Sequence, residues 1–266
     1  MSEVQKILAL TYSEYLKLNE LLNLQKPLTE GEHDETLFIV IHQVYELWFK
    51  QVIHEVSHLE KKFKDGDVPQ ISATFKRILT IMKTMVSQID VLETMSPLSF
   101  LSFRARLESS SGFQSLQFRK LEMMLGKRAK ASLEHHPVGS AERGVLEAEL
   151  RRPSLYDYFL RYIKAKGYAV PDSALKRDVT ESVGDNPEVQ AVLLEIYRTN
   201  PSIAQVCERL IDLDEGIQEW RYRHVKMVER TIGMRIGTGG SSGTDYLRRT
   251  LFQPLFPDLW AIRVQF

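Results

Sequence analysis

The sequence predicts an all-α fold, built as a single-domain helical bundle. Apolar residues recur at helical spacing over long stretches, little of the chain alternates with period two, and no repeat or low-complexity linker divides it. At 266 residues, 43% hydrophobic and 26% charged, the chain has ample material for one core. We interpret residues 1–266 as one domain, in which 1–30 form an N-terminal segment and 127–140 a polar, mobile excursion.

Two long helices are predicted in the first part of the chain. Asp34 is the predicted N-cap of the first helix, which ends near Lys62. The sequence Asp65-Gly66-Asp67 then breaks the chain. An apolar stripe from Phe75 to Leu92 marks the second helix.

Shorter helices follow, and one long helix precedes the C-terminal residues. Ser96-Pro97 has the N-cap and first-turn proline of a helix start, and this helix is predicted to extend through Leu107. Pro201 opens a stripe of about 35 residues, the longest helix predicted, which stops at the glycine-rich stretch 237–243. The remaining helices are predicted over 113–125, 142–150 and 155–166.

Composition and charge exclude several classes of function. The 35 basic side chains balance 35 acidic ones, so the chain lacks the net positive field that drives nonspecific nucleic-acid binding. The apolar run Leu37–Ile41 is too short to cross a membrane, and Ile7–Leu10 is too short for a signal peptide. Cys207, the single cysteine, excludes an internal disulfide and covalent haem attachment through C-x-x-C-H. These features predict a cytoplasmic protein that binds neither nucleic acid nor membrane.

One short motif suggests zinc. The residues His54-Glu55-Val56-Ser57-His58 match H-E-x-x-H, which on a helix places two imidazoles on one zinc ion beside a glutamate base. No G-x-x-H extension follows, and the next residues, Glu60-Lys61-Lys62, are charged. We therefore interpret the motif as two solvent-exposed histidines, with a zinc site as the alternative.

The glycine-rich stretch 237–243 is a second candidate. It lacks the Gly-Lys-Ser/Thr of a P-loop and follows a helix rather than a strand, which excludes a dinucleotide fingerprint. Its backbone allows close approach to a ligand, with hydroxyl donors from Thr238, Ser241 and Ser242. A flexible helix stop explains the same composition, and both interpretations stay open at this point.

Two histidines lie on apolar helix faces. His42 follows Phe38 by one turn, and His224 shares a stripe with Trp220. A lone histidine on such a stripe is typically a hydrogen-bonded core residue. A histidine on each of the two longest helices also suits a haem or small-ligand pocket. Arg104, at the end of an aromatic-rich helix, either binds a ligand carboxylate through its guanidinium fork or is a surface arginine.

Together these segments resemble one family, the haem-dependent tryptophan 2,3-dioxygenases. The resemblance covers almost the whole chain and involves independent motifs in matching order and spacing. The matching segments are 10–16 (LTYSEYL), 33–35 (HDE) with 37–43 (LFIVIHQ) and 46–48 (ELW), 103–104 (FR) with 111–117 (SGFQSLQ), 220–224 (WRYRH) and 237–243 (GTGGSSG).

The resemblance implies an all-α homotetramer that binds haem b noncovalently in the core of the bundle. His224 would be the proximal ligand of the haem iron. His42 would be the distal histidine, which forms a hydrogen bond with the indole N–H of the substrate. Arg104 would pair with the substrate carboxylate, and Thr238 would help to hold its ammonium and carboxylate end.

The same resemblance assigns further residues to the pocket. Phe38 and Phe100 would line the indole site. Ser111 would lie near both haem and substrate, and Gly239 near the haem. A neighbouring subunit would contribute three residues to the same pocket, Tyr12, Tyr15 and Leu16, which would make the oligomer part of the site.

The implied reaction inserts both atoms of O2 into the indole C2–C3 bond of L-tryptophan and gives N-formylkynurenine. The chain departs from the family pattern at three places. Val44 and Tyr45 stand where members usually have Thr-Ser, Glu108-Ser109-Ser110 lacks the usual proline, and Ile89 replaces a common bacterial tryptophan.

Two other interpretations of the function stay open, and only the first of them rests on these departures. One is a haem-dependent monooxygenase that forms a 2-oxindole or hydroxylated product from tryptophan or a methylated tryptophan in secondary metabolism. The other is a haem-binding sensor or interaction module without turnover. Arg104 and the glycine-rich stretch argue against the sensor, which has no need of them.

Overall fold

A computed structural model describes residues 10–235 and 244–266 of the chain. All regular elements in these two ranges are helical, which confirms the predicted all-α class. None of the described helices combines the length and the apolar character that a membrane crossing requires. The α-helices are α1 Tyr12–Leu16, α2 Leu18–Leu21, α3 His33–Asp65, α4 Val68–Leu92, α5 Pro97–Arg104, α6 Leu116–Leu125, α7 Ala141–Leu150, α8 Leu155–Ala165, α9 Asp172–Leu175, α10 Pro187–Thr199, α11 Pro201–Ile232, α12 Thr244–Arg249 and α13 Pro257–Ala261. The 3-10 helices are Ala105–Leu107, Gly112–Gln114, Lys130–His135 and Ile262–Gln265.

Helix α4 connects the two longest helices of the bundle, because it packs along both α3 and α11. Helices α6 and α8 cover other sides of α3, while α10, α12 and α13 pack on α11. The buried apolar side chains of these helices form one large continuous core. Since α3 and α11 are both held by α4, their facing residues are fixed at opposite sides of a shared interior.

Local signals explain the α3–α4 hairpin. Gly66 adopts φ 68°, a left-handed conformation that glycine reaches without strain, and its amide closes the last turn of α3. The Asp67 side chain then accepts from the Gln70 amide and caps α4. The predicted end near Lys62 is three residues early. The predicted N-cap at Asp34 is also displaced, because Glu32 is the N-cap.

The segment before α6 differs from its prediction as one helix over 113–125. Ser115 has ψ 102°, so the chain turns there, and its hydroxyl caps α6 by accepting from the Phe118 amide at 3.2 Å. The preceding residues form a separate 3-10 turn capped by Ser111. Serine side-chain hydrogen bonds compete here with continued helix, which explains the break.

The two longest helices have nearly the predicted lengths. Helix α11 has 32 residues rather than about 35, and α3 with 33 is longer by one. Helix α10 was not predicted. The stretch 127–140 contains a 3-10 helix and buries Arg128, Ser132 and His136; its mobility stays a prediction.

The N-terminal segment is joined to α3 by hydrogen bonds of two α3 side chains, Glu35 and Gln43, the second of which bonds to Gln25 and to the Leu24 carbonyl. Glu35, which is buried, accepts from the amides of Leu28 and Thr29 at 2.8 and 2.9 Å. Helix α1 further out has no buried residue and is capped by a reciprocal pair of bonds between Thr11 and Glu14. The segment thus leaves the bundle in a fixed direction and presents its apolar side chains to solvent.

Candidate active site

A cavity of about 280 Å³ lies within the bundle, lined by residues of helices α3, α4, α5, α6, α11 and α12 and by the chain between α5 and α6. Its wall is mainly apolar and includes several aromatic rings, and polar and charged side chains also face it, as expected for a small-molecule site. The lining residues include Phe38, His42, Tyr45, Glu46, Phe49, Phe100, Arg104, Ser111, Phe118, Arg119, Glu122, Trp220, Arg221 and His224.

His224 lies on the α11 side of the cavity. Its ring stacks on that of Trp220, one turn earlier, with centroids 5.3 Å apart and planes inclined by 11°. Burial, and in second place the nearby His42, lower the pKa of His224 to about 4. The imidazole is therefore neutral at physiological pH, and a neutral imidazole is the form that binds a metal.

His42 lies on the α3 side. Its Nδ1 is 2.6 Å from the carbonyl oxygen of Phe38, and since a carbonyl only accepts, Nδ1 donates and carries the proton. The surrounding protein lowers the pKa of His42 by desolvation, so the ring is neutral. Nε2 of this tautomer has a free lone pair and acts as a hydrogen-bond acceptor at the cavity wall.

Aromatic rings position His42 and shape the cavity at this end. The Phe38 ring lies 4.1 Å from that of His42, 5.7 Å from that of Phe100 and 5.5 Å from that of Phe103. Phe103 is fully buried, whereas Phe38 and Phe100 line the cavity. The structure therefore brings together His42, Phe38 and Phe100, as the resemblance implied.

Arg104, the last residue of α5, and Ser111, within the α5–α6 connection, also line this cavity. This connection is tied to α3 through Glu46, a residue that the sequence analysis did not single out. The Ser115 hydroxyl donates to the Glu46 carboxylate at 2.5 Å, and the Gln117 amide donates to the same side chain and to its backbone carbonyl. Glu46 thereby holds the chain near Ser111 at the edge of the cavity.

Three predicted site residues of the N-terminal segment lie away from the cavity of their own chain. Tyr12, Tyr15 and Leu16 are exposed on α1, at 75%, 72% and 40%, and do not line the cavity of their own chain. Their contribution to a neighbouring subunit stays a prediction. Thr238 and Gly239 lie outside the described residues, and so does the rest of the glycine-rich stretch 237–243.

The H-E-x-x-H motif is placed away from the cavity. His54 is exposed, while Glu55 is buried, with its carboxylate 3.0 Å from Arg77 and bonded to the Gln51 amide at 2.7 Å. Among residues 10–235 and 244–266, no group of three metal-binding side chains occurs. The glutamate therefore takes part in linking α3 to α4 and is occupied by these partners.

Tyr45, one of the departures from the family pattern, fills core beside the cavity. Its hydroxyl donates to the Met85 carbonyl of α4 at 2.7 Å, and its ring packs on Phe49 and Trp220. Burial raises the pKa of Tyr45 to about 12, so the hydroxyl stays protonated. The side chain is thus held against α4.

We expect Tyr45→Phe to reduce the free energy of unfolding by about 1 kcal/mol, the usual value of one buried hydrogen bond. Urea denaturation followed by circular dichroism measures this change, with Tyr222→Phe as the control that leaves it unaltered, because Tyr222 is exposed on α11 and does not line the cavity. A changed product with tryptophan would show instead that the hydroxyl acts on the ligand.

Comparison with known proteins decides the family. The sequence model described as tryptophan 2,3-dioxygenase matches residues 2–137 and 130–266. A tryptophan 2,3-dioxygenase of Herpetosiphon aurantiacus is 58% identical over 257 residues, which cover 96% of this chain and 98% of that protein. The chain belongs to the tryptophan 2,3-dioxygenase family. Further tryptophan 2,3-dioxygenases, from Anaeromyxobacter sp. (strain K) and Caulobacter vibrioides, are 56% and 44% identical, with 96% of this chain covered in both cases and 96% and 98% of the relatives.

Membership of this family confirms the resemblance drawn from the motifs. The two matched ranges include both the α1 segment and the residues beyond α11. The names of these relatives favour a dioxygenase over the monooxygenase that the departures near Tyr45 had left open.

Proposed function

We propose that this protein is a haem-dependent tryptophan 2,3-dioxygenase, which uses O2 to open the indole ring of L-tryptophan and forms N-formylkynurenine. The observation that carries the proposal is the cavity itself, in which neutral imidazoles from α3 and α11 and a guanidinium from α5 share one aromatic wall. The proposal includes noncovalent haem b, a homotetramer and a cytoplasmic location.

The residues of the cavity fit haem. A flat, apolar macrocycle requires an aromatic and aliphatic wall, which Phe49, Phe118, Trp220 and their neighbours provide. Its iron requires a neutral imidazole, which burial secures at His224. Haem supplies the redox chemistry that activates O2, while the protein holds it through His224 and excludes water.

His42 and Arg104 orient the substrate in this proposal. Arg104 forms a bidentate pair with the substrate carboxylate, which fixes the amino-acid end, with Thr238 as a further donor. The Nε2 lone pair of His42 accepts the indole N–H, because Nδ1 is committed to the Phe38 carbonyl. Phe38 and Phe100 enclose the indole and exclude water. In the same proposal, Ser111 lies beside both the haem and the substrate, and Gly239 lies beside the haem.

The N-terminal segment completes the site in the proposed oligomer. Tyr12, Tyr15 and Leu16 expose apolar surface that their own bundle does not cover, and large exposed apolar side chains of this kind are typical of interfaces. In the proposed tetramer they lie over the pocket of a neighbouring subunit.

The product formed with labelled dioxygen tests the proposed activity. Haem-loaded, reduced protein is given L-tryptophan and ¹⁸O2, and the product mass is measured. Two labelled oxygen atoms in one molecule of product are expected. One labelled atom would support the monooxygenase, and haem binding without any product would support the sensor.

The pH dependence of kcat/KM tests the role of His42. Only the neutral ring accepts the indole N–H, and the pKa of His42 is lowered from its usual value near 6.5. We expect kcat/KM to stay constant as the pH falls through 6.5 and to decline only at more acidic pH. His42→Ala should lower kcat/KM about tenfold, the value of one hydrogen bond, and 1-methyltryptophan, which lacks the N–H, should show no such difference. A decline centred at pH 6.5 or above would contradict the assignment.

A further inference from the structure

A buried cluster of charges lies where α6 meets α11, and none of the roles above uses it. The Glu122 carboxylate accepts from Arg119 at 2.5 Å and from Arg221 at 2.7 Å, and Lys127 Nζ lies 3.9 Å away. Glu122, Arg119 and Arg221 are 5%, 8% and 4% exposed. We call these four residues the α6–α11 cluster.

The α6–α11 cluster has more positive than negative charge. Among the described residues, the ion pairs of all three cations lead to Glu122 alone. Arg119 and Arg221 hold the pKa of the Glu122 carboxyl below its usual value against the effect of burial, so it is ionised. Burial and the charge of Arg221 lower the pKa of Lys127 to about 8, which leaves the amine mainly protonated at neutral pH. Three cations therefore face one anion.

Several N–H groups of the cluster also lack an acceptor. Arg119 Nε, Arg221 Nη1 and Lys127 Nζ are inaccessible to solvent and have no hydrogen-bond partner in the described part of the chain. Burying an unpaired charged donor is costly, and buried charges in proteins are normally paired. The surplus charge and the unused donors both indicate a missing anion.

The position of the cluster indicates which anion this is. Arg119, Glu122 and Arg221 all line the cavity, and Arg221 lies one turn before His224 on α11. The substrate carboxylate is assigned to Arg104 on a different helix, α5. A carboxylate of the cofactor is then the acidic group that remains in the same cavity.

We propose that Arg119 and Arg221 bind a propionate carboxylate of the haem, with Lys127 adding positive charge and Glu122 holding both guanidiniums in place. This inference rests on the proposed haem binding. A carboxylate of a second, free amino-acid molecule has the same chemistry, and the experiment below separates the two sources.

The test compares haem with its dimethyl ester, in which both propionates are uncharged while iron and macrocycle are unchanged. The full-length apoprotein is titrated with each, and the Soret band gives the two dissociation constants. We expect the wild-type protein to prefer haem about tenfold or more, since hydrogen bonds to a charged group are worth at least one decade of affinity. Arg221→Met and Arg119→Met should each reduce this preference towards one.

Each variant leaves Glu122 with two cations, so the carboxylate stays paired, and helicity measured by circular dichroism verifies folding. The preference is a ratio, so a general loss of haem affinity cancels. Arg223→Met is the matched control, because Arg223 lies on the same helix, pairs with Asp90 and Glu93, and does not line the cavity. It should keep the wild-type preference.

The possible outcomes are distinct. A preference that stays at the wild-type value in folded Arg221→Met and Arg119→Met, with a normal Soret band, overturns the propionate site and leaves the proposed function intact. Variants that keep the preference but weaken tryptophan binding to the ester-loaded protein assign the cluster to a free carboxylate, which also overturns it. If the wild-type protein shows saturable binding of neither haem nor its dimethyl ester, the proposed function itself is overturned.

Discussion

Replacing His224 with alanine is expected to abolish normal haem ligation and to lower kcat by about 100-fold or more. This fall in kcat is larger than the fall expected when a residue that merely positions a metal ligand is lost. The reason is that burial keeps the His224 ring neutral while its stacking on Trp220 holds it at the cavity wall. The measurement is the Soret band of the purified variant titrated with haem, together with the rate of N-formylkynurenine formation.

Two controls make the His224 experiment specific. His54→Ala removes an exposed histidine from α3, away from the cavity, and should alter neither the spectrum nor the rate. Added imidazole fits the space that the missing ring leaves and should restore part of the Soret band. A variant with a wild-type spectrum and rate in the absence of imidazole would refute the assignment of His224 as the iron ligand.

Replacing Arg104 with leucine is expected to have the second largest effect. Loss of a guanidinium that pairs with the substrate carboxylate should cost about 3 kcal/mol, or roughly a 100-fold fall in kcat/KM for L-tryptophan. Haem content should be unchanged, because Arg104 lies on α5 and not on the helix that carries His224. Steady-state kinetics and the Soret absorbance measure the two quantities.

Tryptamine, which lacks the carboxylate, is the control substrate for Arg104. The wild-type protein and Arg104→Leu should bind it with similar affinity, since there is no carboxylate to lose. Arg104→Lys keeps the charge without the bidentate fork and should fall between the two proteins for L-tryptophan. An unchanged kcat/KM for L-tryptophan in Arg104→Leu would show that the carboxylate binds elsewhere.

The long helices could be predicted from the sequence because their signals are local. The stripe along α4 and the Asp-Gly-Asp break before it are sufficient to place the α3–α4 hairpin within a few residues. Helix α10 begins with Asn186 as N-cap and Pro187 at the first position, a clear start signal that the sequence analysis passed over. Helix α10 packs on α11, which follows it directly, and on α13 near the C-terminus, a contact that the local sequence does not reveal.

The site was predictable where motifs repeat those of the family and less so elsewhere. His42, His224 and Arg104 lie in such motifs and share one cavity. The α6–α11 cluster was missed because Arg119 and Glu122, three residues apart, are typical of a solvated helix face. Only tertiary packing reveals that this face is buried. The apolar residues Phe118 and Leu121 beside them were the available signal.

The residues that enclose the cavity are widely separated along the chain, from Phe38 on α3 to Thr250 after α12. During synthesis at the ribosome, α3 and α4 emerge early, but the α11 wall is made more than a hundred residues later. At 5 to 20 residues per second, roughly 10 to 40 s pass between the synthesis of His42 and that of His224. During this interval the nascent chain has the α3 side of the cavity but not the α11 side. In the proposed haem protein, His224 can therefore ligate the iron only after α11, residues Pro201–Ile232, has been made and packed.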